Sequence, residues 1–242
     1  MTPPTVQFIP AAGGGFLPSD LASLDAWYDA NNGSTITESG GYISDWASAS
    51  GVANDFAQAT FLNQPQVNSG YLNGLDTVAF SSEDSMQASL TSGLSSSSLF
   101  VVMETTLNSK FIMFTGNFPT LLLIAESGST AAISNGAGTP VYFHDGDASG
   151  WANRGDCWAD IGYNQGWSIV SITSLNLSSF GTFKINKSGF SGYNFGGDVA
   201  EVILFSSSLG TSDREKVEGY LAHKWGLTAN LSAGHPYKTV AP

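Results

Sequence analysis

The chain is expected to fold as an all-β protein, a sandwich or jelly roll of antiparallel strands carrying one C-terminal α-helix. Three observations support this. Short apolar runs recur from about residue 24 to residue 209. Turn signals such as Asn73-Gly74, Asn135-Gly136, Asp145-Gly146 and Gly196-Gly197 separate them, the spacing of a many-stranded sandwich. Only near the end, at VEGYLAHKWGL (217–227), do the apolar residues fall at helical rather than strand spacing.

Residues 1–18 read as an extended arm. Pro3, Pro4, Pro10, Pro18 and the triplet Gly13-Gly14-Gly15 bracket one short extended piece bearing Val6, Phe8 and Ile9. Residues 1–15 carry no charged side chain, and the prolines disfavour a helix. Such a segment is suited to adding as a strand to another subunit's sheet edge.

Residues 19–242 read as one domain, with no internal repeat and no break in composition. Strands are expected over 24–29, 42–46, 75–80, 86–90, 98–106 and 110–115, then over 120–126, 131–134, 141–143, 167–175, 182–186 and 198–205. The runs LFVVM (99–103) and LLLI (121–124) are apolar at every position, as central strands covered on both faces would be.

The helix is expected over about 212–226. Ser212-Asp213-Arg214-Glu215 has the form of a capping box. Val217, Tyr220, Leu221 and Trp225 make one apolar stripe, His223 and Lys224 suit the last turn, and Gly226 suits a left-handed cap. Gly219 inside the stripe suggests a close approach to a sheet, and the whole reads as a plug closing one end of the sandwich, anchored by Trp225.

Composition removes several functions. The lone Cys157 excludes a disulfide framework and a thiolate zinc site. Twenty acids face eight bases, and residues 1–109 contain no Lys or Arg at all, so a nucleic-acid partner is not expected. The opening MTPPTVQFIPAAGGG offers neither a signal peptide nor a membrane span, so no membrane insertion is expected and the chain should be made in the cytoplasm.

Three stretches, DLASLDAWYDA, VAEVILFSSSL and SDREKVEGYLAHKWGL followed by HPYK, resemble a concanavalin A-like, laminin-G-like jelly-roll domain of the kind found in virion proteins of tailed bacteriophages. The resemblance covers about residues 15–242 and is specific at the two ends, the middle agreeing in pattern only. It implies two packed sheets, a concave face often used for sugars, and a terminal helix with a structural role. For function it implies a non-enzymatic virion surface protein, either a capsid decoration or a small tail-tip subunit. Its partners would be other virion subunits, its own copies and a host surface glycan. A free-standing carbohydrate-binding protein and a glycan hydrolase are the alternatives.

Candidate sites are few. No E-x-D-x-x-E run and no nucleophile elbow occurs, so no catalytic residue is assigned. Trp151, Trp158 and Trp167, with Asn153 and Arg154, could present aromatic faces beside polar groups to a sugar ring; packing of a core or a long loop is the plainer reading of the same residues. Asp145 and Asp147 in HDGDASG could hold calcium, the one metal the sequence suggests, or could simply form a polar Asp-Gly hairpin turn. HPYK reads as a C-terminal latch.

Overall fold

Alternating side chains in short segments give strands with two distinct faces. The computed structural model describes residues 15–52, 54–90, 94–117, 119–186 and 192–242, so Val6, Phe8 and Ile9 of the arm lie outside the described residues. The first strands are β1 (Leu24–Asp29), β2 (Ile36–Ser39), β3 (Tyr42–Trp46), β4 (Phe56–Ala57) and β5 (Gln66–Leu72). Next come β6 (Leu75–Phe80), β7 (Met86–Ser89), β8 (Ser97–Thr105), β9 (Phe111–Thr115) and β10 (Leu121–Ala125). The last are β11 (Gly138–His144), β12 (Asp147–Ala148), β13 (Ser168–Leu175), β14 (Thr182–Ile185) and β15 (Gly197–Phe205). Two helices accompany them, α1 (Arg154–Ile161) and α2 (Thr211–Trp225).

The strands pair antiparallel in one continuous path that folds back on itself as two layers. In the first layer β15 has β8, β13 and β11 on one side, and β6 and β1 on the other. The second layer runs β3-β4-β7-β14-β9-β10, joined to the first through β5. Leu99, Val101, Val170 and Val202 of the first layer and Trp46, Phe114, Phe183 and Ile185 of the second share one core.

The all-apolar run of β8 has the predicted cause. Leu99, Val101 and Met103 face the sandwich interior, while Phe100 and Val102 face a second core under α2. That core also takes Trp27, Ile169, Ile203 and Phe205 from the sheet, and Val217, Tyr220, Leu221 and Trp225 from the helix. The helix therefore covers the face of the first layer and does not plug an end of the sandwich. Trp225 is fully buried. Burying a large aromatic contributes on the order of 2–3 kcal/mol.

Ion pairs set the helix on that sheet. Glu201 of β15, fully buried, accepts Trp27 Nε1–H at 2.5 Å and Tyr220 O–H at 3.2 Å on Oε1. Its Oε2 accepts Trp225 Nε1–H and Lys224 Nζ, each at 2.7 Å. Lys224 also pairs with Asp29 at 2.8 Å. Burial holds the Glu201 carboxyl above its usual range against the pull of Lys224. Further along α2, Arg214 donates to both oxygens of buried Glu218 at 2.6 Å and to the Gly146 carbonyl at 3.1 Å. His235 Nδ1 accepts Tyr237 N–H at 3.3 Å, which leaves its Nε2–H to face Glu218 Oε2 at 3.3 Å. HPYK is thus the expected latch, pinned to the helix.

Several expectations need correction. The N-cap of α2 is Gly210 without a side-chain cap bond, so Ser212 is an exposed residue of the first turn and its capping box does not form. At Gly219 a Cβ would overlap the Tyr237 side chain, so the close neighbour is the C-terminal latch and not a sheet. Gly226 is the left-handed cap expected, with φ 73°. The segment 131–134 is not a strand; its tie to β10 is Ile124 N–H to the Ile133 carbonyl at 2.8 Å. The strand β5 went unpredicted because QVNSGYL has neither alternation nor an apolar run, and pairing with β6 supplies its order. Phe16 packs on the helix-side core, and Pro18 is buried.

The helix α1 is the other departure, since one helix was expected. Asn153 accepts the amides of Gly155 and Asp156 at 2.9 and 3.1 Å, and Asp156 accepts Asn153 N–H at 3.2 Å. This is a capping box in Asn and Asp rather than Ser and Glu, and eight residues leave little room for an apolar stripe.

Candidate functional site

The outer face of the second layer carries a groove of about 580 Å³, within the size range of small-molecule sites, about 300–1,000 Å³. Its floor is a cross-strand row built by register. Ala57 of β4 opposes Gln87 of β7, Gln87 opposes Lys184 of β14, Lys184 opposes Thr115 of β9, and Thr115 opposes Leu121 of β10. In β14 Phe183 and Ile185 point into the core, which turns Lys184 outward. The short side chain of Ala57 keeps the row low at one end. Thr60 and Asn63, at the turn Phe61–Asn63, form one wall, and Gly116 and Thr120 form the other.

The wall is held by its own amides. Gln58 Nε2 donates to the Ser85 carbonyl at 2.9 Å and to Ser85 Oγ at 3.0 Å, while its Oε1 accepts Thr60 N–H at 3.0 Å. The floor is different. Thr115 is 2% exposed, and its hydroxyl has no hydrogen-bond partner. A buried hydroxyl left unpaired costs about 1–3 kcal/mol, and this one lies beneath the groove surface. On the same wall turn Phe61 and Leu62 are 54% and 82% exposed, with the Phe61 ring 4.6 Å from that of Tyr42.

Lys184 stands out among the described bases. Lys110 and Arg154 share Glu126, Arg214 holds Glu218, and Lys216 holds Asp213. Lys224 joins Asp29 and Glu201, and Lys238 donates to backbone carbonyls. Among the described residues Lys184 has no acid or carbonyl partner, in a chain whose net charge is −12.

A second polar site lies on the helix side of the first layer. Tyr71, 47% exposed, donates its hydroxyl to Glu104 Oε1 at 2.6 Å, and its ring lies 6.1 Å from that of Trp167. Glu104 of β8 opposes Asp198 of β15. Asp198 accepts Thr77 Oγ1–H at 2.7 Å and Asn68 Nδ2–H at 3.0 Å. Burial pushes the Glu104 carboxyl up, the Tyr71 bond pulls it down, and the Asp198 charge pushes it up again, with a net rise. The Tyr71 phenol is pushed up to about 12, first by its bond to Glu104.

The aromatic group expected at 151–167 is divided. Trp151 packs in the sandwich core and donates Nε1–H to Asp160 at 2.6 Å. Trp158 packs on the same core with its ring 6.4 Å from that of Phe111. Trp167 alone lies on the helix side. Asn153 is occupied as the cap of α1, and Arg154 is held by the Ala132 carbonyl at 2.8 Å, by Tyr193 and by Glu126. These five residues therefore do not make one face: α1 draws two of the indoles inward, and β13 starts Trp167 on the other side of the sheet.

Asp145 and Gly146, with φ 49° and 88°, form the two-residue turn between β11 and β12, the geometry that favours Asp-Gly. Asp145 accepts Ile169 N–H at 2.9 Å, and Asp147 is exposed. No group of three or more potential metal ligands forms among the described residues. The Asp-Gly turn and the bond to Ile169 account for Asp145.

Sequence reasoning missed Lys184, Thr115 and Gln87. The signal for Lys184 was present as one base alternating with Phe183 and Ile185 in an expected strand; its lack of a partner was not readable there. None of the helices is long and apolar enough to cross a membrane among the described residues.

No protein-family model and no curated relative matches the chain. Among solved structures it is similar to Trypanosoma rangeli sialidase in complex with sialic acid, at 12% identity and a TM-score of 0.47, covering 90% of this chain and 35% of that one. It is also similar to the same sialidase in complex with the inhibitor DANA, at 10% identity and a TM-score of 0.44, covering 80% and 32%. The chain thus spans about a third of the length of these structures. Nothing about its chemistry follows from likeness at this level; the antiparallel β-sandwich stands on its own geometry.

Proposed function

We propose that this chain is a non-catalytic binding module displayed on the surface of a bacteriophage particle, attached through its N-terminal arm and presenting the groove of the second layer to a host glycan. The observation that carries the reading is the opposition of the two ends. Phe16 N–H bonds the Pro242 carbonyl at 3.1 Å against the helix-covered layer, while the groove opens on the outer face of the other layer. An arm leaving at Phe16 and a ligand bound over Lys184 would therefore engage opposite sides of the sandwich. The arm offers Val6, Phe8 and Ile9 for pairing with a capsid or tail subunit, or with sister copies.

Deletion of residues 1–14 tests attachment. The expected result is a folded domain that no longer joins the particle. Retention at normal occupancy would assign attachment to the domain surface. A glycan array with the intact protein tests binding, and loss of signal in a Gln87→Ala, Thr115→Val double variant assigns it to the groove. A soluble protein recovered apart from particles, still binding glycan, would favour the free-standing carbohydrate-binding protein.

One observation favours a hydrolytic reading: Glu104, with its raised carboxyl, stands beside Asp198, Tyr71 and Trp167. Two adjacent carboxyls, one of them pushed up by burial, are the side-chain types that glycoside hydrolysis uses as acid and partner. Release of reducing ends from an oligosaccharide, abolished by Glu104→Gln, would establish it.

A further inference from the structure

We infer that the groove ligand is an acidic sugar, its carboxylate seated on Lys184; the inference rests on the groove being the binding site. Two independent features of the groove point there. The Lys184 ammonium has no counter-charge among the described residues, although acids outnumber bases by twenty to eight. Asp45, the acid at the end of the same cross-strand row, is three strands away, about 14 Å at the ordinary strand spacing, beyond the screening length at physiological salt. Beside Lys184, on the next strand, sits the exposed Gln87, whose amide has no partner among the described residues. An ammonium and an amide NH₂ side by side on a floor can each donate to one oxygen of a single carboxylate.

The rest of the lining selects what bears that carboxylate. Gln87 and Asn63 carry amides with no partner among the described residues, and amides pair with ring hydroxyls as both donor and acceptor. One cation balances one charge. A polyphosphate or nucleic acid would bring several negative charges to a chain of net charge −12, and the repulsion would outweigh a single lysine.

The test uses the full chain and trisaccharides carrying a single galacturonate, glucuronate or mannuronate residue, each beside its methyl ester, which keeps the ring and removes the charge. Calorimetric titration should show at least one acid trisaccharide binding about tenfold tighter than its ester. Lys184→Met and Lys184→Gln should each remove that preference, bringing the affinity for the acid down to that for its ester. Raising salt from about 0.05 to 0.5 M should weaken the acid trisaccharide and spare the ester. Lys184 has no ion pair or hydrogen bond to lose among the described residues, so both variants should melt close to the parent. Equal binding of acids and esters, or a preference that survives both substitutions, overturns the inference and leaves the groove as a neutral-sugar site. Binding of no acid trisaccharide also overturns it. The glycan array then decides separately whether the groove binds any sugar.

Discussion

Glu201→Gln keeps the size of the side chain that fastens α2 to the sheet and removes its charge. The carboxylate has four donors: Trp27 and Tyr220 on one oxygen, Trp225 and Lys224 on the other. A glutamine offers one carbonyl and one NH₂. Whichever way it turns, its NH₂ meets an indole N–H, a donor facing a donor in a buried site. The loss is two hydrogen bonds to a charged acceptor, about 1.5–3 kcal/mol each. Relief of the desolvation that raises the Glu201 carboxyl offsets part of this. Lys224 keeps Asp29 at 2.8 Å, so no ammonium is orphaned. The net is about 3 kcal/mol, which for a chain of this length lowers Tm by roughly 6–12 °C. Urea unfolding followed by tryptophan emission measures it, since Trp27 and Trp225 report on the site directly. A cycle with Lys224→Met should return a coupling of about 1 kcal/mol or more. A loss below about 0.5 kcal/mol for Glu201→Gln would refute the reasoning, because α2 would then be held by apolar contact alone.

Trp225→Ala should cost about 3–5 kcal/mol, whereas Ser212→Ala should fall within about 0.5 kcal/mol because no cap bond is made there; chemical denaturation separates the two. Gly219→Ala raises helix propensity by about 1 kcal/mol, yet its methyl would displace Tyr237, so a lowered Tm with faster amide exchange at 235–238 is expected, and a raised Tm would show the latch gives way freely. Glu126 is held below the usual carboxylate range first by the Tyr193 hydroxyl at 2.7 Å. A depressed folded value means its contribution is complete above the ordinary range near 4.3 and is lost as pH falls through the folded value. Glu126→Gln should therefore be less stable than the parent at pH 6, with the gap narrowing as pH falls below about 4 in thermal melts.

Local order was readable from the sequence wherever the cause was local. Alternation marked most strands, the Asp145-Gly146 pair marked its hairpin, and the stripe through Val217, Tyr220, Leu221 and Trp225 marked α2, because each depends on residues within a few positions of one another. Three things were decided only when distant strands met. The face that α2 covers depends on Phe100, Ile169 and Ile203 lying side by side. The buried anchor joins Asp29, Glu201 and Lys224, which nothing in their own neighbourhoods distinguishes from surface charges. The groove floor brings Ala57, Gln87, Lys184, Thr115 and Leu121 together in an order unrelated to their order along the chain. Strand pairing places side chains by register across the sheet, so a site laid across strands has no period or motif in sequence. Partner and register, set by burial of both layers at once, determine which polar residues are left facing out together.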